Sequence, residues 1–274
     1  MQLIEKELVR RRIAYDWYYY KEVTVLADNF SVRKRKLSIN PEDRLLLRSP
    51  WNTPYFTRNY AVIARNLAER YGTQFIFDLK AYLTCSPYFH DKFYQGLLCN
   101  RLGIQTPPIY YFSNKKRVLW DLLPFPLVLK KRVSSRSRSN YLVSSAKELE
   151  DQLKKTTLHH HILQKYIDAK RDIRINVLKG KILYGFERGM FMHSDHRLYV
   201  KGGEPIKHIP SILKEYALKI TKEIGLDFAG VDFLQGKDGR YYFLEVNSSP
   251  QFNRAQDIMP KKTAQLVVDE IVTS

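Results

Sequence analysis

Three oxygen-bearing side chains near the C-terminal end of the chain, Asp232, Glu245 and Asn247, have the types and spacing of a cation site. Asp232 and Glu245 lie in two apolar runs that flank Asp238-Gly239, a strong signal for a β-hairpin. Glu245 and Asn247 are two residues apart and therefore share one face of a strand. Like charges that face each other across two strands repel. Because all three ligands are oxygens, we expect a hard cation between them, Mg²⁺ shared with a nucleotide or Mn²⁺.

The register of this hairpin follows from the turn. A two-residue turn at the Asp-Gly pair sets Lys237 opposite Arg240. Counting outward from that pair sets Asp232 opposite Glu245. A bulge at the glycine before Lys237 would shift this register by one residue. The alternative for the whole segment is an ordinary exposed hairpin whose acids face water.

A nucleotide site also needs cations for the phosphates and a loop of small residues around them. Lys130 ends an apolar run, 127–130, and is followed by a Ser/Arg-rich loop, 134–140. A lysine buried at such a strand end is costly unless it meets an anion, so we expect Lys130 to bind phosphate. Lys92, in an earlier helical segment, is a second candidate. For either lysine alone, the alternative is a surface side chain whose stem lies on apolar residues.

Length and composition indicate a soluble globular protein. The chain has 274 residues, of which 44% are hydrophobic. No apolar run approaches the roughly 20 residues that cross a bilayer, and the first ten residues carry charges where a signal peptide is apolar. The two cysteines provide neither a disulfide framework nor zinc-ligand spacing. We expect a cytoplasmic protein that does not bind membranes.

The formal net charge of +18 is the second unusual feature of the chain. Such a positive field concentrates anions, so we expect an anionic small-molecule or peptide substrate. Nucleic acid is the alternative partner, and a solvated surface without a partner is the other. The sequence leaves the oligomeric state open, with a homodimer and a tetramer among the options.

The pattern of elements predicts an α+β (mixed α/β) fold, because strand pairs alternate with helices along the chain. Helices are predicted over 91–102, ending at Gly103, and over 210–224. Another helix is predicted to begin at Ser144 or Ser145, since Ser145 and Glu148 have the spacing of a capping box.

Several short motifs follow one another along the chain: Asp91-Lys92 with Gly103-Ile104-Gln105-Thr106-Pro107, Pro126-Leu127-Val128-Leu129-Lys130, Gln164-Lys165-Tyr166-Ile167, Asp172-Ile173-Arg174, Phe186-Glu187-Arg188, Lys201-Gly202-Gly203, Gly230-Val231-Asp232 and Glu245-Val246-Asn247-Ser248-Ser249-Pro250. In this order, the motifs resemble the ATP-grasp superfamily, most closely its RimK-like glutamate ligases and their glutathione-synthetase relatives. The resemblance covers about residues 91–252.

The resemblance implies an ATP-grasp fold in which two α+β subdomains, 91–162 and 163–274, grip ATP. The first would carry the phosphate loop, and the second the hinge and the magnesium hairpin. Residues 1–90 would form a small α/β domain that precedes the grasp. The activity implied is that of an ATP-dependent carboxylate–amine ligase that forms an amide bond through an acyl phosphate.

The resemblance also implies roles for individual residues. The residues that would bind the nucleotide are Lys92, Lys130, Ser134, Arg136, Ser137, Arg138, Gln164, Lys165, Tyr166, Ile167 and Asp172. Those that would act at the reacting groups are Arg174, Arg188 and Lys201. The metal ligands would be Asp232, Glu245 and Asn247.

The phosphate loop departs from the family pattern, because Ser134, Ser137 and Ser139 stand where glycines are expected. Serine approaches phosphate with its backbone less readily than glycine does. We expect Arg136 and Arg138 to compensate by binding phosphate through their side chains. Two further functions stay open: a phosphotransferase acting on a phosphorylated small molecule, and a nucleotide-binding or nucleic-acid-binding module without turnover.

Overall fold

The computed structural model describes residues 2–16, 23–25, 30–32, 35–36, 43–44, 62–63, 65–67, 69–70, 78, 80–81, 88–134, 140–248, 250 and 263–273. The helices are α1 (Gln2–Arg10), α2 (Lys92–Arg101), α3 (Ala146–Lys154), α4 (Ser211–Ile224) and α5 (Thr263–Thr273). The strands are β1 (Val23–Val25), β2 (Phe30–Val32), β3 (Arg35–Lys36), β4 (Ile109–Tyr110), β5 (Leu127–Lys131), β6 (Asn140–Val143), β7 (His161–Lys165), β8 (Ala169–Leu178), β9 (Lys181–Met192), β10 (Leu198–Pro205), β11 (Phe228–Gly236) and β12 (Tyr241–Asn247).

The strands form three antiparallel sheets, which confirms the predicted α+β fold class. The sheet orders are β1-β2-β3, β4-β7-β5-β6 and β10-β9-β8-β11-β12. Strand β7 belongs to the four-stranded sheet and crosses the expected subdomain boundary at 162/163. None of the helices in the described ranges is both long enough and apolar enough to cross a membrane.

The five-stranded sheet presents two different faces, because successive side chains of a strand point to opposite sides. One face is apolar: Ile175, Val231 and Phe233 are buried in a core shared with α2 and α4. The opposite face carries polar side chains, among them Arg174 and Asp232, which pair directly across β8 and β11. One side of this sheet therefore builds the core, and the other builds a site.

At one end of the sheet, the face opposite the main core is apolar. There α1 and α5, from the two ends of the described chain, pack against it. Ile4 from α1 and Val267 and Val268 from α5 are buried in one cluster with Tyr184 and Phe228 of the sheet. These helices cover one end of the face, so the polar groups are confined to the remaining part.

Helix α2 begins and ends where the sequence predicted. The Asp91 carboxylate accepts a hydrogen bond from the Phe93 N–H at 2.9 Å and caps the N-terminus. Gly103 follows the helix with a φ of 73°, the left-handed conformation that commonly ends a helix. Lys92, the first helical residue, is thereby fixed at a capped helix start.

Helix α3 has the predicted cap, which supplies a first test. The Ser145 Oγ accepts from the Glu148 N–H at 3.3 Å, and the Glu148 carboxylate accepts from the Ser144 N–H at 2.8 Å. Ser145→Ala should lower the free energy of unfolding by about 1 kcal/mol, measured by urea denaturation. Ser144→Ala is the control, because Ser144 contributes only its backbone N–H to this motif. Equal losses in the two variants would contradict the assignment of Ser145 as the cap.

Candidate active site

The acidic hairpin has the predicted pairing at its functional end but a different turn. Asp232 lies opposite Glu245 and Gly230 lies opposite Asn247, as the sequence predicted for the first pair. At the turn, however, the Gly236 N–H donates to the Arg240 carbonyl at 2.9 Å. The loop is therefore three residues long, and the predicted pairing of residue 237 with Arg240 is wrong.

A glycine and a bulge explain this difference. Gly239 has a φ of 82°, and its N–H donates to the Gly236 carbonyl at 3.0 Å, which makes a three-residue loop with a left-handed glycine. That loop shifts the register by one residue. A bulge between Asp232 and Phe233 places one extra residue on β12 and shifts the register back. The two shifts cancel, so Asp232 and Glu245 face each other after all.

The positive charge between the acids is supplied in part by the chain itself. Arg174 lies opposite Asp232 and donates to it through Nε and a terminal nitrogen, each bond 2.6 Å long. Arg188 lies opposite Asp172 and donates to it from Nε at 2.5 Å. A terminal nitrogen of Arg188 is also 3.3 Å from Asp232 Oδ2. Two arginines and two aspartates therefore form one continuous network across β8, β9 and β11.

Glu245 is held by a lysine from helix α2. Lys92 Nζ is 3.1 Å from Glu245 Oε2, and the Asn247 side-chain amide donates to Glu245 Oε1 at 3.0 Å. Lys92 Nζ also donates to the carbonyl and the hydroxyl oxygen of Ser134, at 3.2 and 3.4 Å. The lysine thus joins the start of the predicted phosphate loop to a predicted metal ligand.

These contacts set the charge states of the acids at the site. Burial opposes the negative charge on Glu245, but Lys92, Asn247 and Arg174 together lower its pKa to about 2. The pKa of Asp172 is raised, because burial and the nearby Asp232 outweigh the opposing effect of Arg188. Glu245 is therefore a stable anion at neutral pH, as a metal ligand must be.

Lys130 is buried near the end of β5, within electrostatic range of the same acids. Its Nζ donates to Gln164 Oε1 at 2.5 Å. Burial lowers the pKa of Lys130 to about 8, with a contribution from the charge of Lys92 and opposing contributions from Glu245 and Asp172. These contributions show that Lys130, which belongs to the four-stranded sheet, lies near the acids of the five-stranded sheet. The two lysines predicted to bind phosphate lie at one site.

In the predicted adenine hinge, the Lys165 carbonyl lies opposite a proline and does not receive the bond that an antiparallel strand normally returns. The Lys165 N–H donates to the Pro108 carbonyl at 2.8 Å, and the Tyr166 N–H donates to the Pro126 carbonyl at 3.1 Å. In an antiparallel pair Pro108 would return a bond to the Lys165 carbonyl, but proline has no N–H. The Lys165 side chain turns away and donates to the Pro124 carbonyl at 2.5 Å. Hinge binding by backbone groups is thus compatible with a lysine at this position.

The remaining predicted site residues make fewer contacts with this site or lie outside the described residues. Lys201 is exposed on β10, opposite Gly189, and its side chain makes no hydrogen bond or ion pair within the described part of the chain. Asp172, predicted on the ribose side, is 2% exposed and is occupied by its arginine partner. Ser134 contacts Lys92, as described above. Arg136, Ser137 and Arg138 lie outside the described residues.

Sequence reasoning missed the residues that hold Lys92 in place. The Asp91 carboxylate accepts from Arg132 Nε at 3.0 Å, and the Lys92 N–H donates to the Arg132 carbonyl at 2.9 Å. The Arg132 guanidinium also lies over the rings of Phe93 and Tyr111, 5.6 and 5.0 Å from their centroids. Only their positions in the sequence could have indicated these residues, because Asp91 adjoins Lys92 and Arg132 follows Lys130 by two residues.

The donor set fits a hard divalent cation. Two carboxylates and one amide oxygen, from Asp232, Glu245 and Asn247, lie together, and their chemistry is that of Mg²⁺ ligands. The side-chain nitrogen of Asn247 points to Glu245, which leaves its oxygen for a cation. The neighbouring lysines suit the phosphates that accompany Mg²⁺ in nucleotide sites.

Comparisons with known proteins agree with this geometry. The family model for the RimK-like ATP-grasp domain matches residues 91–271. The coenzyme gamma-F420-2:alpha-L-glutamate ligase of Methanocaldococcus jannaschii is 30% identical over 218 residues, which cover 74% of this chain and 73% of the relative. The D-alanine–D-alanine ligase of Aquifex aeolicus is 32% identical over 177 residues, which cover 58% of each chain.

A solved structure shows the same fold over almost the whole length. The ATP-grasp ligase PsnB, complexed with a phosphomimetic variant of its minimal precursor, Mg and ADP, has a TM-score of 0.74 and 17% identity. The match covers 99% of this chain and 94% of PsnB. Together with the family model, this confirms the fold and the activity class predicted from the motifs. The chain belongs to the RimK-like ATP-grasp family and is an ATP-grasp ligase.

Proposed function

We propose that this ligase binds ATP with Mg²⁺, or Mn²⁺, between its four-stranded and five-stranded sheets and joins a carboxylate to an amine. One observation carries the proposal: a lysine predicted to bind phosphate lies next to an acid predicted to bind the metal. Lys92 Nζ is 3.1 Å from Glu245 Oε2. The division into a domain over 1–90 and subdomains over 91–162 and 163–274 is part of the same proposal.

The nucleotide would lie along elements that each supply one kind of contact. Lys92 and Lys130 would bind phosphates, together with the loop that contains Arg136, Ser137 and Arg138. The adenine amino group would donate to the Lys165 carbonyl, which Pro108 cannot satisfy. Asp232, Glu245 and Asn247 would hold Mg²⁺, which when bound would supply positive charge to the phosphate oxygens.

The chemistry would proceed in two steps at these groups. A carboxylate oxygen of the substrate attacks the γ-phosphorus of ATP, and the bond to the leaving ADP breaks, giving an acyl phosphate. The amine nitrogen then attacks the acyl carbon, inorganic phosphate leaves, and the amine loses a proton to form the amide. Arg188, oriented by Asp172, would stabilise the transferring phosphoryl group, with Arg174 beside it. Lys201 would contact the substrate from the β10 side.

We further propose that the carboxylate substrate is an anionic amino acid or peptide. The relatives named above are ligases for glutamate and for D-alanine, and PsnB was solved with a precursor. The net charge of +18 favours the anionic members of this set. Nucleic acid remains the alternative partner, and a cytoplasmic location and a homodimer or tetramer remain proposals.

The proposal is tested by screening ADP release with amino acids, acidic peptides and polyamines, and then adding hydroxylamine to the active mixture. An acyl phosphate should be trapped as a hydroxamate in the presence of the carboxylate substrate and ATP. ADP release without a hydroxamate, on a substrate with a free hydroxyl group, would instead indicate a phosphotransferase. ATP binding without ADP release for any substrate would indicate a module without turnover.

The charge of the substrate has its own readout. Surface charges are screened beyond about 8 Å at physiological salt, so kcat/KM for an anionic substrate should fall as salt is raised. ATP affinity should change less, because its contacts are short and enclosed. Tight tRNA or duplex binding at physiological salt, independent of nucleotide, would overturn the assignment of an anionic substrate.

A further inference from the structure

Gln95 is a buried polar side chain whose bonds all go to backbone groups around the site. It is 2% exposed and lies on α2, three residues after Lys92. Its side-chain nitrogen donates to the Phe89 carbonyl at 2.7 Å and to the Val246 carbonyl at 2.9 Å. Its side-chain oxygen accepts from the Val246 N–H at 3.1 Å. Two donors and one acceptor are thus matched, which fixes the orientation of the amide.

The position of Val246 gives these bonds their importance. Strand β12 is the outer strand of the five-stranded sheet next to β11, so outward-pointing backbone groups on it lack a neighbouring strand. Val246 lies between Glu245 and Asn247, and both of its backbone polar groups bond to Gln95. The side-chain amide therefore takes the place of a further strand at the residue between two proposed metal ligands.

Helix α2 also fixes the position of Lys92, proposed to bind phosphate, relative to β12, which carries two of the proposed metal ligands. Residues three apart on a helix lie on one side of it, so Lys92 and Gln95 reach the same strand. Lys92 contacts the Glu245 side chain, and Gln95 contacts the backbone one residue later. A shift of β12 away from α2 would break both contacts together.

We propose that Gln95 is a positioning residue that sets the metal-binding end of β12 against the helix that carries Lys92. It touches neither substrate nor metal, and acts by fixing the backbone between Glu245 and Asn247. This inference rests on the proposed function of the hairpin as a metal site. Outer groups that orient metal ligands affect metal affinity strongly, which makes the inference measurable without a known substrate.

The test replaces Gln95 with methionine, which has a similar shape but cannot donate, and measures Mn²⁺ binding by electron paramagnetic resonance in the presence of ADP. Gln95→Met should weaken Mn²⁺ binding about 10-fold to 100-fold, while ADP affinity without metal stays unchanged. Gln95→Asn, which keeps the amide but is one methylene too short, should show a smaller loss in the same direction and is the variant to use if the methionine variant does not fold.

The control is Thr221→Val, which removes another buried side-chain bond, the 2.9 Å bond to the Ala217 carbonyl on α4, without touching β12. This variant should bind Mn²⁺ as the wild type does. An equal loss in Thr221→Val, or wild-type Mn²⁺ affinity in both Gln95 variants, would overturn the positioning role while leaving the proposed function in place. If the wild-type protein itself bound no Mn²⁺ with ADP, the proposed function would fail and the inference with it.

Hydrogen exchange on the metal-free wild type adds a readout that needs no substitution. The Val246 amide should exchange as slowly as the amides of the inner strand β11, because its proton is bonded to a buried side chain. Fast exchange at Val246, typical of an open strand edge, would contradict the proposal.

Discussion

Asp232→Asn and Glu245→Gln should each weaken metal-dependent ADP binding by more than the roughly 10-fold to 100-fold that loss of an outer supporting group costs. Each substitution would remove a charged oxygen from the proposed ligands of a cation that requires a near-ideal set of oxygens. Asn247→Ala should have the same direction with a smaller effect, because it removes a neutral ligand. ADP affinity is measured with and without Mg²⁺. The gain in ADP affinity that Mg²⁺ provides should largely disappear in the two carboxylate variants.

The two carboxylate variants should differ in stability, which separates folding from metal binding. Asp232 is 3% exposed and accepts two bonds from Arg174, so Asp232→Asn removes the opposite charge and one of these bonds from a largely buried guanidinium. Breaking such a buried pair costs about 3–5 kcal/mol in the free energy of unfolding. Glu245→Gln should cost less, since Lys92 keeps its bonds to Ser134.

Glu187→Gln is the matched control for both substitutions. Glu187 lies on β9 of the same sheet, next to Arg188 but on the opposite face, and its 3.5 Å contact with Arg171 is between exposed side chains. This variant should bind Mg²⁺ and ADP as the wild type does. Near-native metal dependence in both Asp232→Asn and Glu245→Gln, with ADP still bound, would remove the hairpin from the metal site.

The hairpin shows how local sequence rules predicted the correct pairing of Asp232 with Glu245 through an incomplete argument. The Asp-Gly signal located the turn, and the alternation of side chains placed Glu245 and Asn247 on one face. The left-handed glycine at 239 and the bulge near Asp232 were not predicted, and each shifts the register by one residue. Turn type and bulges depend on contacts with the rest of the protein, which no local pattern contains.

Contacts between distant segments explain the rest of what the sequence could not supply. The sequence predicted that a cation lies between Asp232 and Glu245 but did not identify Arg174 as one that the chain provides. No local pattern marks Gln95, because its partner lies 151 residues away in the chain. Motif order predicted the metal ligands, whereas the contacts of α2 with their strand are seen only when α2 lies against β12.

Replacing Lys130 with methionine should weaken ATP binding about 10-fold to 100-fold, as expected for loss of a charged hydrogen bond of about 1.5–3 kcal/mol, and should leave adenosine binding nearly unchanged. The reason is that Lys130 is proposed to contact phosphate and not the base. Lys131→Met is the matched control, because Lys131 is the next residue of β5 but is exposed. Arg136→Ala and Arg138→Ala should weaken ATP binding by smaller factors if these arginines replace the family's glycines. Equal ATP affinity in the wild type and in the variants of residues 130, 136 and 138 would contradict this placement.

The buried state of Lys130 adds a pH dependence whose sign is fixed. Burial lowers its pKa to about 8, below its ordinary value, so the free protein loses this charge as the pH rises through 8. Bound phosphates favour the charged form and raise that pKa, so ATP binding near pH 8 should take up a proton and weaken as the pH rises further. ATP does not account for this proton, since the second pKa of a phosphate ester is about 6. Calorimetry in buffers of different ionisation enthalpy measures the uptake, which should persist in Lys131→Met and vanish in Lys130→Met. Proton uptake that is unchanged in Lys130→Met would show that another group titrates and that Lys130 does not bind the phosphates.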